Sequence, residues 1–587
     1  MSDEGQDWRS LPGMFLDQAG RRGQQAFLWR RQDGAWRATS WAEAAATVRR
    51  LAAGLVALGV KPGERVVLVA ENRPEWPLAD LAIMAAGAIT VPTFTTNTTA
   101  DHRHILSHSQ AKAAILSGPA VARNFLPAAA DAPELAFVVA MDDLKLAQRP
   151  ALEVHDWHKV LALGDGAKGA LPALATMKRD DVCCFIYTSG TGGAPKGVML
   201  THGSILCNCR GAHRLLADFR LGDEVFLSFL PLSHSYEHMA GLFLPIFLGA
   251  QIYYAESADK LMENAAETRP TIMTAVPRLY EAMHGRISRG VAHTGGLKRR
   301  LFEAALTLGA KKIERPGTLS LLERVLDLAA ELTVRRKLRH RFGGRLKVMV
   351  SGGAALNPEI GLFFTALGLR ILQGYGQTEA SPVVCVNPPG RVKLATVGPP
   401  LDGVEVRIAE DGEILVRGEL VMRGYWRDEA ATAAALKDGW LHTGDIGRLD
   451  ADGYLEITDR KKDIIVLSGG DNVAPARVEN LLVLEPEIMQ AMVHGDGHAH
   501  LVALLVPEPE FAEQCAAGGR DIHRALAPAV ERVNARLSQI ERIRRFAVAP
   551  SPFDIDNAML TPSLKIRRHK IRETYGAVLE KLYDGGR

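Results

Sequence analysis

The chain has 587 residues, 47% of them hydrophobic and 23% charged, too long for one ordinary domain and apolar enough for several cores, so two or more folded units are expected. Basic and acidic side chains, 70 against 67, nearly cancel to a formal charge of +3, which leaves no electrostatic footprint for nucleic acid. Six scattered cysteines are too few for a disulfide framework and point to a reducing compartment.

The opening segment MSDEGQDWRS is acidic and polar where a secretory signal needs a basic start and an apolar run, so the cytoplasm is the default expectation. From residue 41 to 60, Val48, Leu51, Leu55, Val56 and Leu58 recur near helical spacing, and Gly59 with Lys61-Pro62-Gly63 ends the pattern before a strand at 65–70. Short apolar runs at 113–116, 136–140, 182–187, 225–230, 252–254 and 346–350 alternate with helix-compatible segments. That alternation predicts parallel sheets with crossover helices. The most apolar stretch, 242–250, falls well short of the ~20 residues that span a bilayer and contains Pro245, so no transmembrane helix is expected.

Residues 286–345 are strongly basic and helical in pattern. They read as a solvated helical face, with an anionic membrane surface or partner as the alternative. At 404–416 the texture changes to strict alternation around Asp411-Gly412, an antiparallel hairpin. The charged DRKKD at 459–463 marks a domain boundary, giving units 1–458 and 459–587, and αβ alternation resumes at 489–493 and 501–506.

Residues 187–198, YTSGTGGAPKGV, suit a loop that wraps a polyphosphate. Gly190 and Gly193 let backbone N–H groups converge on anionic oxygens, Thr188, Ser189 and Thr191 add donors, and Lys196 supplies a mobile positive charge. It is not a Walker A element, because Lys196 follows Pro195 and precedes Gly197. Further on, SGGAAL (351–356) is small enough at Gly352, Gly353 and Ala354 for a flat base to approach the backbone. GYGQTE (374–379) offers Tyr375, between Gly374 and Gly376, as an aromatic face for adenine, Thr378 for phosphate, and Glu379 as an oxygen ligand for Mg2+.

GWLHTGD (439–445) ends in Asp445, a carboxylate able to accept both ribose hydroxyls, and Arg460 adds a second sugar contact. LTPSLKIRR (560–568) presents Lys565 where phosphate charge develops. Taken singly, Tyr375 also reads as a core aromatic, Asp445 as a turn acid and Lys565 as a surface lysine.

In this order, with LPLSHSYEH and DRKKDIIVLSGGDNVAP, the chain resembles the adenylate-forming superfamily over nearly its whole length. That superfamily includes acyl-CoA synthetases, nonribosomal-peptide adenylation domains and firefly-type luciferases. LPLSHSYEH, SGGDNVAP and the basic insert before SGGAAL are most similar to long-chain fatty acyl-CoA synthetases. The resemblance implies an α/β fold: a large N-terminal domain of two doubly wound sheets plus a small β-barrel subdomain, then a small mobile α+β C-terminal domain. It implies activation of a fatty acid by ATP and Mg2+ to an acyl-adenylate, with release of pyrophosphate, and then attack by CoA thiolate.

By the same resemblance, Lys565 bridges substrate carboxylate and α-phosphate, Glu379 holds Mg2+, and Lys196 with the loop hydroxyls holds the departing phosphates. The C-terminal unit turns about Lys462, and Gly469 and Gly470 then pass the pantetheine arm of CoA. His234, Gly241 and Ala355 belong to the acyl pocket wall. The partners implied are small molecules, namely fatty acid, ATP and CoA, without nucleic acid; peripheral contact with the inner membrane and a homodimer stay open. Two departures stand out: Gly192 replaces a threonine of the usual TSGTTG, removing one phosphate-facing hydroxyl, and Asp471 stands where long-chain relatives often carry lysine.

Rival readings remain. An acyl-AMP ligase that delivers to a carrier protein differs only in its acceptor, and no carrier domain is evident. His234-Ser-Tyr-Glu237-His238 matches HxxEH, an inverted zinc-protease motif. Cys207 with Cys209, and His102, His104 and His108, lack the paired spacing of a closed zinc site and read as buried thiols and surface imidazoles.

Overall fold

The computed structural model describes residues 7–146, 152–166, 171–188, 194–292, 294–554, 557–561 and 566–584. Eight strands form a first sheet in the order Gly424–Tyr425, Lys196–Thr201, Val182–Thr188, Ile89–Pro92, Arg65–Val69, Ala113–Leu116, Phe137–Ala140, Glu153–Asp156. From Val182–Thr188 onward the pairs are parallel; the first two pairs are antiparallel. A second eight-stranded sheet runs Val383–Val386, Ile371–Gly376, Val348–Ser351, Ile272–Ala275, Val225–Ser228, Gln251–Tyr254, Ala26–Gln32, Ala35–Ser40, parallel except at its two edges.

Burial follows the period-2 geometry of strands. Val66 and Leu68 enter the central core, while Val67 and Val69 enter a second core on the opposite face. In the other sheet, Phe226, Ile272 and Val348 share that same central core, and Leu227, Met273 and Met349 face outward under a third. Both sheets are therefore covered on both faces, which is why their strands read as continuous apolar runs rather than as alternation. The helix Trp41–Ala57 is fixed at its start by a reciprocal capping box between Ser40 and Glu43.

The expected hairpin at 404–416 is present as Glu405–Ile408 paired with Glu413–Arg417, turning at Gly412 with φ of 83°. It belongs to a five-stranded antiparallel sheet that takes the place of the expected small β-barrel; the described pairings trace an open path through Trp440–Leu449, to which Leu436–Lys437 and Leu455–Arg460 add. The strand Leu455–Arg460 runs through Asp459, and the chain leaves the sheet in the turn that follows, where Asp463 N–H and Ile464 N–H return to Arg460 O.

The C-terminal region has a three-stranded sheet, Ile488–His494, Leu501–Pro507 and Ile543–Val548, antiparallel then parallel. Ala491, Val493 and Leu505 pack on one face with Leu526 and Val533, and Met492, Val502 and Leu504 on the other with Ile571 and Leu579 of the last helix, Arg568–Asp584. It touches the larger region through Asn357 Nδ2, which donates to Asn480 O at 3.4 Å, and through an ion pair between Arg536 and Glu359.

Candidate active site

The polyphosphate loop springs from an antiparallel hairpin rather than from a lone strand. Val182–Thr188 pairs with Lys196–Thr201, and in the register Thr188 faces Lys196, so the two ends of the loop are held together. Ser189, Gly190, Thr191, Gly192 and Gly193 lie outside the described residues. Lys196 is partly exposed; its Nζ stands 3.3 Å from Asp428 Oδ2 and 5.1 Å from the centroid of the Tyr425 ring. Tyr425 comes from the short strand that flanks the hairpin, with Tyr425 opposite Val198.

The same tyrosine ties the loop to GYGQTE, since Tyr425 Oη donates to Glu379 Oε1 at 2.8 Å. The other carboxylate oxygen of Glu379 accepts no hydrogen bond among the described residues. A half-buried carboxylate with one oxygen fixed and one open is a fitting monodentate ligand for Mg2+. Beside it, Thr378 Oγ1 and Ser235 Oγ are 2.9 Å apart, which brings LPLSHSYEH against GYGQTE.

Tyr375 lies in the strand Ile371–Gly376 and is only 9% exposed. Its hydroxyl donates to Asp445 Oδ2 at 2.6 Å, while Arg460 Nε donates to Asp445 Oδ1 at 3.1 Å. Asp445 and Arg460 are direct cross-strand partners in the small sheet, so the register itself builds the ion pair. Burial and the adjacent Asp445 carboxylate push the Tyr375 phenol well above its ordinary range, which keeps it a donor. Gly376 is required here: a Cβ on it would lie 1.7 Å from Pro382 O of the neighbouring strand connection. Gly374 sits opposite Val386 in the same ladder.

Gly352, Gly353, Ala354 and Ala355 follow the strand Val348–Ser351, and the last three are exposed. Tyr236 Oη donates to Val350 O at 2.8 Å, which fixes the end of that strand against the helical segment of LPLSHSYEH. His234 caps the first turn of this segment, its Nδ1 accepting from Tyr236 N–H at 3.1 Å. The next six residues, His238–Phe243, widen into a π-helical turn. Gly241 lies in it, and a Cβ there would meet the Glu237 carboxyl carbon at 2.3 Å; its open side is filled by Glu237.

The zinc-protease reading of this motif fails on geometry. Glu237 is fully buried and accepts from Ser228 Oγ and Thr274 Oγ1, both at 2.6 Å, and burial pushes its carboxyl up to about 7. His238 Nε2 stands 2.9 Å from Asp80 Oδ2, both side chains buried. Burial alone would pull His238 down, but the Asp80 carboxylate outweighs it and raises the imidazole to about 10. His234 and His238 thus have separate employments and do not converge on a metal. Among the described residues, the one His/Cys/Asp/Glu group with ligand atoms in mutual reach is His494, His498 and Glu580. His102 is buried rather than a surface imidazole, while His104 and His108 stack on each other beside Tyr187.

Lys462 is exposed in the turn after Arg460, and Gly469 and Gly470 are exposed between the paired strands Ile465–Val466 and Asn472–Val473. Lys565 lies outside the described residues. The chain on either side of it is anchored: Leu560 and Ile566 form an antiparallel bridge, and Arg568 is held by Glu479 through two contacts of 2.6 Å. Sequence reasoning missed Tyr425, Asp428 and Ser235 as members of this band. Tyr425 carried a signal in the Gly-Tyr-Trp run at 424–426; Ser235 and Asp428 carried none.

A model of the AMP-binding enzyme family matches residues 15–426, and a model of the AMP-binding enzyme C-terminal domain matches residues 462–587. The long-chain-fatty-acid–CoA ligase FadD15 of Mycobacterium tuberculosis is 35% identical over 572 residues, covering 94% of this chain and 93% of that protein. The peroxisomal long chain acyl-CoA synthetase 7 of Arabidopsis thaliana is 32% identical, covering 94% and 83%. Among solved structures, the A domain of the carboxylic acid reductase from Segniliparus rugosus, in complex with AMP and a co-purified carboxylic acid, shares the fold with a TM-score of 0.78 at 22% identity, over 99% of this chain and 95% of that one. With the first family model covering more than half of the chain and the second most of the remainder, the chain belongs to the AMP-binding enzyme family.

Proposed function

We propose that the protein activates a fatty acid with ATP and passes the acyl group to CoA, giving acyl-CoA, AMP and pyrophosphate. The observation that carries this reading is the two runs of contacts Lys196–Tyr425–Glu379 and Tyr375–Asp445–Arg460 that meet at the GYGQTE segment, supported by long-chain acyl-CoA ligases that match nearly the whole chain. A free carboxylate resists nucleophiles because it is anionic and has a poor leaving group; as an adenylate it carries a good one.

In this reading Asp445, already oriented by Tyr375 and Arg460, accepts the ribose hydroxyls and sets the position of the nucleotide. Lys196, Thr188 and the loop residues Ser189 and Thr191 stabilise the departing pyrophosphate, and Thr378 donates to a phosphate oxygen. Glu379 would hold Mg2+, which supplies charge neutralisation on the phosphates. Lys565 stabilises the negative charge that builds between substrate carboxylate and α-phosphate, and the unit after Lys462 turns to bring Gly469 and Gly470 to the CoA arm. We place the work in the cytoplasm, at the inner face of the membrane.

The test is a panel of carboxylic acids scored by CoA-dependent AMP release, with thioester formation on holo-carrier protein run beside it. Long-chain acids with CoA are expected to give the highest rates; release of AMP with carrier protein alone would move the acceptor. Lys565→Ala is expected to lose fatty-acid-dependent ATP–pyrophosphate exchange yet still convert supplied acyl-adenylate with CoA, and equal loss of both half-reactions would refute the division of roles.

A further inference from the structure

On a helix at a protein surface the apolar stripe normally faces the core. The helix Leu321–Ala330, continued by the π-helical turn Glu331–Arg335, does the reverse. Leu321, Val325, Leu328 and Leu332 recur at steps of four, three and four, and are 80, 65, 60 and 56% exposed; Leu322 beside them is 71% exposed. The ions point inward. Buried Asp327 pairs with Lys312 at 3.0 Å and with buried Arg335 at 2.6 Å, and half-buried Glu323 pairs with Lys311 at 2.6 Å.

This orientation is locked. Arg335 Nε donates to Ala366 O at 2.8 Å and its Nη2 to Ala305 O at 2.9 Å, while Ala330 packs on Ala305 and Leu367. Rolling the helix to bury its leucines would tear out that guanidinium and leave Asp327 uncompensated, a change that buried ion pairs resist strongly. The helix is thereby fastened to Pro358–Ala366, the helix that follows SGGAAL.

The rim of the stripe is cationic. Residues 296–345 hold 13 Lys and Arg against five Asp and Glu, and Arg324, Arg336 and Lys337 are exposed on the helix and its continuation. Aliphatic side chains bordered by cations match the boundary between headgroups and acyl chains in an anionic bilayer. A second copy of the chain fits less well, because a two-fold contact on the stripe would bring two rims of the same positive sign together.

We propose that Leu321–Arg335 is a membrane-docking element that seats its leucine stripe in an anionic lipid surface. It deepens the fatty-acid reading by naming the surface from which the substrate is drawn. Binding is measured without substrate, so its failure and the failure of fatty-acid activation are separate results.

The experiment is co-sedimentation of the full chain with vesicles of phosphatidylcholine alone and of phosphatidylcholine mixed with phosphatidylglycerol. Wild type is expected to bind the mixed vesicles preferentially, less so at high salt. L321Q/L328Q/L332Q is expected to bind them more than about tenfold more weakly, and R324E/R336E/K337E to lose the preference for anionic lipid. All six positions are exposed, and unchanged melting temperatures verify that the variants fold. Wild type left in the supernatant, or a leucine variant that sediments as wild type does, would overturn the proposal. So would a wild-type dimer made monomeric by the leucine changes without any binding to vesicles, which would assign the stripe to a second copy.

Discussion

Two buried clusters of charged side chains use similar partners to opposite ends. Asp445 is held by a phenol and a guanidinium at the open end of a sheet, and the Arg460 side chain remains 47% exposed. Asp80, Glu237 and His238 are at most 1% exposed; Glu237 accepts from Ser228 and Thr274, and Asp80 pairs with His238. The first set has a half-exposed arginine at its edge; the second has no exposed member. Access, rather than residue type, separates a group that can serve a ligand from one that holds two layers together, and it is why the HxxEH pattern does not make a metal site.

The largest effect expected from breaking this comparison is on the closed set. Asp80→Asn leaves His238 buried without its countercharge and should cost about 3–5 kcal/mol in chemical denaturation. Because the folded imidazole titrates above its unfolded value, the contribution of the pair is complete below pH 6.5 and fades toward about 10. On the open set, Asp445→Ala leaves the buried Tyr375 hydroxyl without its acceptor and should cost about 1–3 kcal/mol, less than Asp80→Asn, while lowering fatty-acid-dependent ATP–pyrophosphate exchange about a hundredfold. A variant that lost stability and kept exchange would reverse the assignment of the two sets.

Glu237→Gln sharpens the contrast further. The folded carboxyl titrates near 7 against an ordinary 4.5, so the unfolded chain sheds its proton first and stability falls as pH rises between those values. Glutamine mimics the protonated acid. The variant should match wild type near pH 4.5 and exceed it by about 2–3 kcal/mol at pH 8, read from urea midpoints across pH. The smallest effect belongs to Tyr425→Phe, which frees one oxygen of Glu379. Its removal should change exchange rates by less than about tenfold and alter their Mg2+ dependence, with melting temperature nearly unchanged.

The parallel sheets were legible because their strands are apolar throughout: 113–116 and 182–187 match the observed Ala113–Leu116 and Val182–Thr188 nearly to the residue. The pair Ala26–Gln32 and Ala35–Ser40 escaped notice, since an edge hairpin rich in Arg and Trp has no such run, although Asp33-Gly34 marked its turn. The second arm of the loop hairpin, Lys196–Thr201, was likewise hidden behind glycine and lysine. At the site, the motifs gave the members and the fold gave their order. That Asp445 meets Arg460 follows from strand register, and that Tyr425 meets Glu379 follows from an edge strand 46 residues away in sequence; neither distance is written in local pattern.

Arg460 is the last rung of the small sheet and also a hand on Asp445, and the chain departs for the C-terminal region right after it. A torque applied at that exit is delivered to Asp445, the proposed anchor of the nucleotide, with no intervening transmission. On the function proposed above, loading the sugar and swinging the appendage would be two ends of one short lever.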